Sequence, residues 1–284
     1  LESSGPIRHL TKHVPICCNP DVPLPEVRAL AENLLEAMRF FGRARGNGEI
    51  SEGDGVCLIY CGLNYAAFNA AVLSEPVGLR PGELQHRVQL SANHYGSRRL
   101  RWTYWLCDDY LPPATRKEAR GLFQRSGLSP LTEPPGLYAD HLLPPKRLLP
   151  EVEVRRVADE ATRRAFADIT SVAFDIPGDI CRNIYGMERA WAGSFEGYVG
   201  YAHGVPVATS AVVVSANVAG VYSVATLPQS RRRGYAEAVM RRMLLQVRER
   251  TGVEATILQA TPVGMTLYEQ MGYRKVTRFS VYIS

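Results

Sequence analysis

Arg231-Arg232-Arg233 is the only run of three consecutive arginines in this 284-residue chain, and Gly234 follows it directly. Upstream stand an apolar stretch, Val221 to Leu227, and Pro228. Downstream, Ala236, Val239, Met240, Met243, Leu244 and Val247 recur at helical spacing. The arginines therefore fall where a strand gives way to a helix start. A helix start carries unpaired N–H groups and the positive end of the macrodipole, which together accept phosphate. Gly234 lets backbone approach an anion closely, and Ala236 keeps the next turn small. The dipole contributes about 0.3–1 kcal/mol and an arginine–phosphate hydrogen bond about 1.5–3 kcal/mol. A diphosphate could be held here without a metal. Most arginine triplets are solvated faces; Pro228 before this one and Gly234 after it argue for a loop that binds.

The elements that must position this loop read as alternating α/β structure. Val152–Val157 predicts a strand, and Asp159–Phe174 a helix with Asp159 as N-cap. A shorter helix over Ile180–Trp191 follows, then a meander of strands at Phe195–Ala202, Val207–Val214 and Val218–Thr226, with a turn at His203-Gly204. The long helix is expected from about Ser230 to Gly252. Strand Ala255–Gln259, a helix over Pro262–Met271 with Pro262 in its first turn, and strand Val276–Ile283 complete the half.

Leu142 to Pro150 contains three prolines in nine residues and reads as a linker, since proline denies donors to regular structure. It divides the chain into residues 1–143, a linker at 144–150, and residues 151–284. The first half is expected to hold helices at Pro25–Phe40, Glu83–Tyr95 and Thr115–Ser126. Its strands are expected at Val56–Cys61, Ala67–Leu73, Trp102–Cys107 and near Leu137. Leu122-Phe123-Gln124-Arg125-Ser126-Gly127-Leu128 lies over Leu267-Tyr268-Glu269-Gln270-Met271-Gly272-Tyr273 in the same helix-to-strand context, which points to a diverged internal duplication.

Arg231-x-x-Gly234-x-Ala236 resembles the (Gln/Arg)-x-x-Gly-x-(Gly/Ala) loop of the GNAT acetyltransferase superfamily, and Val224-Ala225-Thr226-x-Pro228 the strand end and proline before it. Leu258 to Tyr273 resembles the final strand–helix unit of that family, one helix and one strand later. The resemblance covers about Val152 to Ser284 well and the first half faintly. It implies an α/β (α+β) fold of two tandem GNAT-like domains, each a mixed, mostly antiparallel sheet flanked by helices. It further implies acetyl-CoA as co-substrate. The backbone of Val224, Ala225 and Thr226 would hold the pantetheine arm. Arg231, Arg232, Arg233, Gly234, Tyr235 and Ala236 would cradle the pyrophosphate. Thr261 would touch the pantetheine, and Tyr268 would protonate the departing thiolate. Thr261 stands where the family often has Asn, and Gly264 where it often has Ala.

The implied chemistry is N-acetylation by direct attack of an amine on the thioester. An amine with a pKa near 10.4 is mostly protonated at neutral pH, so a proton must leave it. Members often use a carboxylate on the strand before the loop, but here that strand offers only Tyr222, Ser223 and Thr226. Glu196 or an ordered water is the candidate base. The first half has Arg80-Pro81-Gly82-Glu83 where a phosphate loop would lie, and Phe123 where the second half has Tyr268. It is expected to shape the acceptor cleft or an interface instead of binding CoA. A CoA-responsive regulatory module without turnover is the alternative function, and transfer of a longer acyl group a third.

Composition is that of a soluble globular protein: 46% hydrophobic and 21% charged residues suit a chain with a sizeable core. A net charge of +5 is too mild for a nucleic-acid surface. The expected partner is a small-molecule or peptide amine, with a homodimer allowed. Six cysteines without zinc spacing predict no metal and reduced thiols in a cytoplasmic protein, with a vicinal redox role at Cys17-Cys18 as the minority reading. No basic segment followed by an apolar run opens the chain, so export is not expected. The uncharged stretch Gly204–Ser230 is broken by Pro206, Asn217, Gly220 and Pro228, which favours buried strands over a membrane span.

Overall fold

A computed structural model describes residues 24–284. The Cys17-Cys18 pair lies outside them. The first half comprises α1 (Pro25–Ala44), β1 (Glu49–Gly53), β2 (Val56–Tyr60), β3 (Ala70–Leu73), α2 (Glu83–Gly96), β4 (Thr103–Cys107), α3 (Pro113–Arg125), β5 (Ser129–Thr132) and β6 (Pro135–Ala139). The second comprises β7 (Glu153–Arg156), α4 (Glu160–Phe174), α5 (Gly178–Tyr185), β8 (Phe195–Ala202), β9 (Val205–Ser215), β10 (Val218–Thr226), α6 (Tyr235–Thr251), β11 (Thr256–Gln259), α7 (Met265–Gln270) and β12 (Arg274–Ile283). Residues 140–152, which carry Pro144, Pro145 and Pro150, contain no helix or strand.

The strands join in the order β1-β2-β3-β4-β12-β6-β11-β10-β9-β8-β7, with β5 on the side against β12. The two halves exchange strands. β6 belongs to the first half in sequence, yet lies between β11 and β12. β12 leaves β6 after Arg278, and its last residues pair with β4 and β5. Helix α1 is amphipathic and packs on β2 on one side and on β9 and β10 on the other, so its apolar residues divide between two cores. Leu30 and Leu34 join the core of the first half, whereas Ala37 and Phe40 join Phe166, Tyr185 and Phe195.

A buried amide ties these parts together. Asn33 on α1 is fully buried, and its Nδ2 donates to the carbonyls of Val213, Ser215 and Val218 at 3.0, 3.2 and 3.3 Å. Its Oδ1 accepts from the Tyr222 hydroxyl at 2.7 Å. Gly220 leaves the room for it, since a Cβ there would overlap Oδ1.

Most elements form where their periodicity places them, and the Asp159 N-cap is made: its carboxylate accepts from Thr162 N at 2.8 Å. Several boundaries differ for local reasons. The long helix begins at Tyr235 instead of near Ser230, because Arg232 (φ 62°) and Gly234 (φ 90°) are left-handed. The last helix begins at Met265, because Thr261 to Gly264 closes a turn in which Gly264 N donates to Thr261 O. Pro262 is therefore a turn residue. The helix expected over Ile180–Trp191 stops at Tyr185, and a 3₁₀ turn covers Glu188–Ala192. β1 and β5 escape the sequence reading because both are polar and largely exposed, without apolar alternation.

Cys57, Cys61, Cys107 and Cys181 are buried free thiols. Desolvation pushes Cys57 and Cys181 up to about 12 and Cys61 and Cys107 up to about 11, which leaves them unreactive at neutral pH. No helix among the described residues is long and apolar enough to cross a membrane.

Asn33→Ala would take a donor from the carbonyls of Val213, Ser215 and Val218 and the acceptor from the Tyr222 hydroxyl. A loss of roughly 1–3 kcal/mol in unfolding free energy is expected, read from the urea midpoint.

Candidate active site

β10 and β11 are parallel neighbours, but they pair only at Ala219–Thr256 and Gly220–Ile257. Beyond that point β10 bulges. Its register against β9 shifts between Tyr222 and Ala225, Ser223 adopts φ 48°, and the Thr209 hydroxyl caps the Ser223 carbonyl at 2.8 Å. The two strands part toward their C-terminal ends, where ligands sit in sheets of this kind. The side of Val224, Ala225 and Thr226 that faces β11 therefore has no strand partner.

The cleft runs into the arginine loop. After a 3₁₀ turn at Pro228–Ser230 the chain passes through Arg231, Arg232 and Arg233 to Gly234, the N-cap of α6. No side chain caps this helix, so the N–H groups of its first turn point out unpaired. Arg231 folds back, and its Nε donates to the Thr226 carbonyl at 3.2 Å, which fixes the loop to the strand end. Arg232 and Arg233 are exposed, and neither forms an ion pair among the described residues. Gly234 is required twice: its φ of 90° suits glycine, and a Cβ would stand 3.0 Å from Cδ of Pro150. The acidic residue of that first turn, Glu237, is buried and held by Arg241 at 2.8 Å.

At the other end of the cleft, Tyr268 packs in the cluster that also takes in Val224 and Tyr235. Its ring lies over Gly264, where a Cβ would come within 2.5 Å of Cε2. The glycine at 264 is thus a consequence of the tyrosine's position. Burial pushes the Tyr268 hydroxyl up to about 12, so it is a neutral donor throughout the physiological range. Thr261 is exposed in the turn beside it, next to Val263, which is 96% exposed.

A family model described as an acetyltransferase (GNAT) domain matches residues 155–276. The second half of this chain is a GNAT domain. No curated protein matches the chain, but solved structures share its whole fold. A GCN5-related N-acetyltransferase from Kribbella flavida is 18% identical and has a TM-score of 0.68, over 93% of this chain and 96% of that one. One from Sphaerobacter thermophilus is 17% identical with a TM-score of 0.56, over 92% and 93%. A tandem GNAT protein from the clavulanic acid biosynthesis pathway is 12% identical with a TM-score of 0.53, over 91% and 93%.

Glu196, the carboxylate weighed as a base, is engaged away from the arginine loop. Its carboxylate pairs with Arg250 at 2.7 Å and Arg156 at 3.4 Å and accepts from the Tyr198 hydroxyl. Arg250 lies in the last turn of α6, roughly 20 Å along the helix from the arginine loop. Nearer the bulge stand polar groups to which sequence reasoning gave no role, none of them a carboxylate. Gln259 ends β11, and its Nε2 is buried without a partner among the described residues. On β10, Tyr222 and Ser223 occupy the bulge, and the Tyr185 hydroxyl lies beside Ser223. An apolar periodicity could not flag these positions; the unpaired amide is visible only in three dimensions.

The first half repeats the backbone of the GNAT domain's cleft with different chemistry. β3 and β4 form the other parallel pair among the described residues, and α2 starts at a left-handed Gly82 (φ 78°) as α6 does at Gly234. Here Glu83 turns back on the loop: its carboxylate accepts from Gly78 N at 3.2 Å and pairs with Arg87 at 2.5 Å. Val77 N donates to Tyr110 O at 2.8 Å, which stitches together the chain ends that part in the second half. Phe123, in the place of Tyr268, is fully buried and stacks on Tyr282 with centroids 3.9 Å apart.

Gly264→Ala should force the Tyr268 ring aside. Overpacking of this kind costs about 1–3 kcal/mol, and denaturant unfolding of the variant would register it.

Proposed function

We propose that the GNAT domain transfers an acetyl group from acetyl-CoA to an amine of a small molecule or peptide by direct attack. The observation that carries this reading is the succession of parts around the end of β10. An uncapped helix start flanked by exposed arginines follows an unpaired strand edge, and Val224 of that edge packs in the cluster that holds a protonated tyrosine. Phosphates suit the first part, an amide-rich arm the second, and a departing sulfur the third. The residues that would hold acetyl-CoA are the backbone of Val224, Ala225 and Thr226, the loop Arg231 to Ala236, and Thr261.

The neutral form of the amine attacks the thioester carbon while the carbon–sulfur bond breaks. With no carboxylate on β10, its proton passes to solvent in the cleft. Tyr268 faces the developing thiolate. A hydroxyl near 12 gives its proton to a thiolate of ordinary pKa only uphill, by roughly 5 kcal/mol. Its main service is therefore a hydrogen bond that strengthens as charge gathers on sulfur; the thiolate that leaves takes up one proton, which balances the proton the amine gives to solvent. The missing carboxylate is what favours the rival reading, a CoA-responsive module without turnover.

Release of free thiol from acetyl-CoA across a panel of amines separates the two: amine-dependent release is expected, and its absence with intact CoA binding would favour the regulator. In that assay Tyr268→Phe should lower kcat at least tenfold with little change in CoA affinity. Because the Glu83 carboxylate occupies the loop at the start of α2 and the Val77–Tyr110 bond ties the strand ends together there, calorimetry should return one CoA per chain.

A further inference from the structure

The linker between the halves does more than connect them. Leu143 is fixed from two sides: its carbonyl accepts from Arg241 Nη1 at 2.7 Å, and its N–H donates to the Met271 carbonyl at 2.9 Å. Seven residues later, Pro150 rests on Gly234 of the arginine loop. Between these anchors the chain forms a short arch stiffened by Pro144 and Pro145. The arch carries Arg147 back to the loop. A Cβ on Gly234 would stand 3.3 Å from Nη2 and 3.7 Å from Cζ of that arginine.

Arg147 has no acceptor for this position to be explained by. It is exposed, and it makes neither a hydrogen bond nor an ion pair among the described residues. Its guanidinium nevertheless stands against the backbone of a helix N-cap, at the loop that also carries the exposed Arg232 and Arg233. Neighbouring arginines of the same surface are already engaged, Arg241 by Glu237 and Leu143, and Arg231 by Thr226. A convergence of unpaired guanidinium groups on uncapped N–H donors is satisfied by an anion that carries several charges.

We propose that Arg147, from the linker, is a phosphate-binding residue of the acetyl-CoA site, so that the inter-half arch forms one wall of the nucleotide end of the cleft. This rests on the CoA-binding reading above and adds to it a contact that lies outside the GNAT domain itself. The planar fork of arginine would span two phosphate oxygens, and the pinned arch presents it with little ordering left to do on binding.

The test is calorimetric titration of the full chain and of its Arg147→Ala variant with CoA, 3′-dephospho-CoA and pantetheine. The expected result is a loss of about ten- to a hundredfold in CoA affinity, the fold-change that one charged hydrogen bond corresponds to, with pantetheine unaffected. If 3′-dephospho-CoA suffers equally, the contact is to the pyrophosphate; if it is spared, the contact is to the 3′-phosphate. Either supports the proposal. CoA affinity within twofold of the parent would overturn it, as would an equal loss for pantetheine, which would mark Arg147 as packing alone. Should Arg232→Ala weaken CoA binding while Arg147→Ala does not, this inference falls and the CoA-binding reading stands. Should the parent chain bind no CoA, both fall.

Discussion

Parallel strands share hydrogen bonds only while both keep their pleat in register, and β10 gives up its pleat at Ser223. Everything specific to the cleft depends on that loss. Past the left-handed residue β10 still pairs with β9 at Ala225 and Thr226, but its groups on the β11 side have no strand partner and must be satisfied by something other than the sheet. The bulge is held from both faces. Thr209 takes the Ser223 carbonyl, and Asn33 takes the Tyr222 hydroxyl while sitting over Gly220, the last residue that pairs with β11. The residue that secures the parting of the strands thus comes from a helix of the opposite half.

The exchange of β6 for the end of β12 extends the same dependence to the whole chain. Neither half completes its own sheet. Removing the first half would take β6 from between β11 and β12 and α1 from the face of β9 and β10. The match of residues 155–276 to a family model therefore marks where the chemistry is legible, while the sheet beneath it draws on residues from both sides of the linker. The first half supplies structural parts, β6 and α1, that the other half lacks.

Much of this was legible in the sequence, for identifiable reasons. Strands such as β8 and β10 and helices such as α1 and α4 have strong periodicity or a capping residue, and they form at the expected places. The loop from Arg231 to Ala236 was recognisable because its chemistry is local: charge, glycine and helix start are consecutive in the chain. What stayed hidden was non-local. Strand exchange leaves no mark on periodicity, because a strand looks the same whichever neighbour it joins. Arg147 reads as part of a proline-rich connector, and its place beside Gly234 depends on anchors at Leu143 and Pro150. Glu196 misled for the converse reason: a carboxylate early in a strand looks accessible until Arg156 and Arg250 are seen to hold it.

The two helix starts share their backbone and differ in the charges that flank them. α2 and α6 both begin at a left-handed glycine after a parallel strand, with nearly the same φ and no side-chain cap. The dipole and the orphan N–H groups are therefore common to both. At α6 the nearest free groups are cationic and add to the attraction for an anion. At α2 the chain supplies its own anion: Glu83 is the first helical residue, its carboxylate already bound to Gly78 N–H and Arg87. A phosphate entering there would meet a carboxylate, and displacing it would leave Arg87, which is almost fully buried, without its ionic partner. With backbone geometry common to both, what would decide between them for a phosphate is the charge of the residues flanking each glycine.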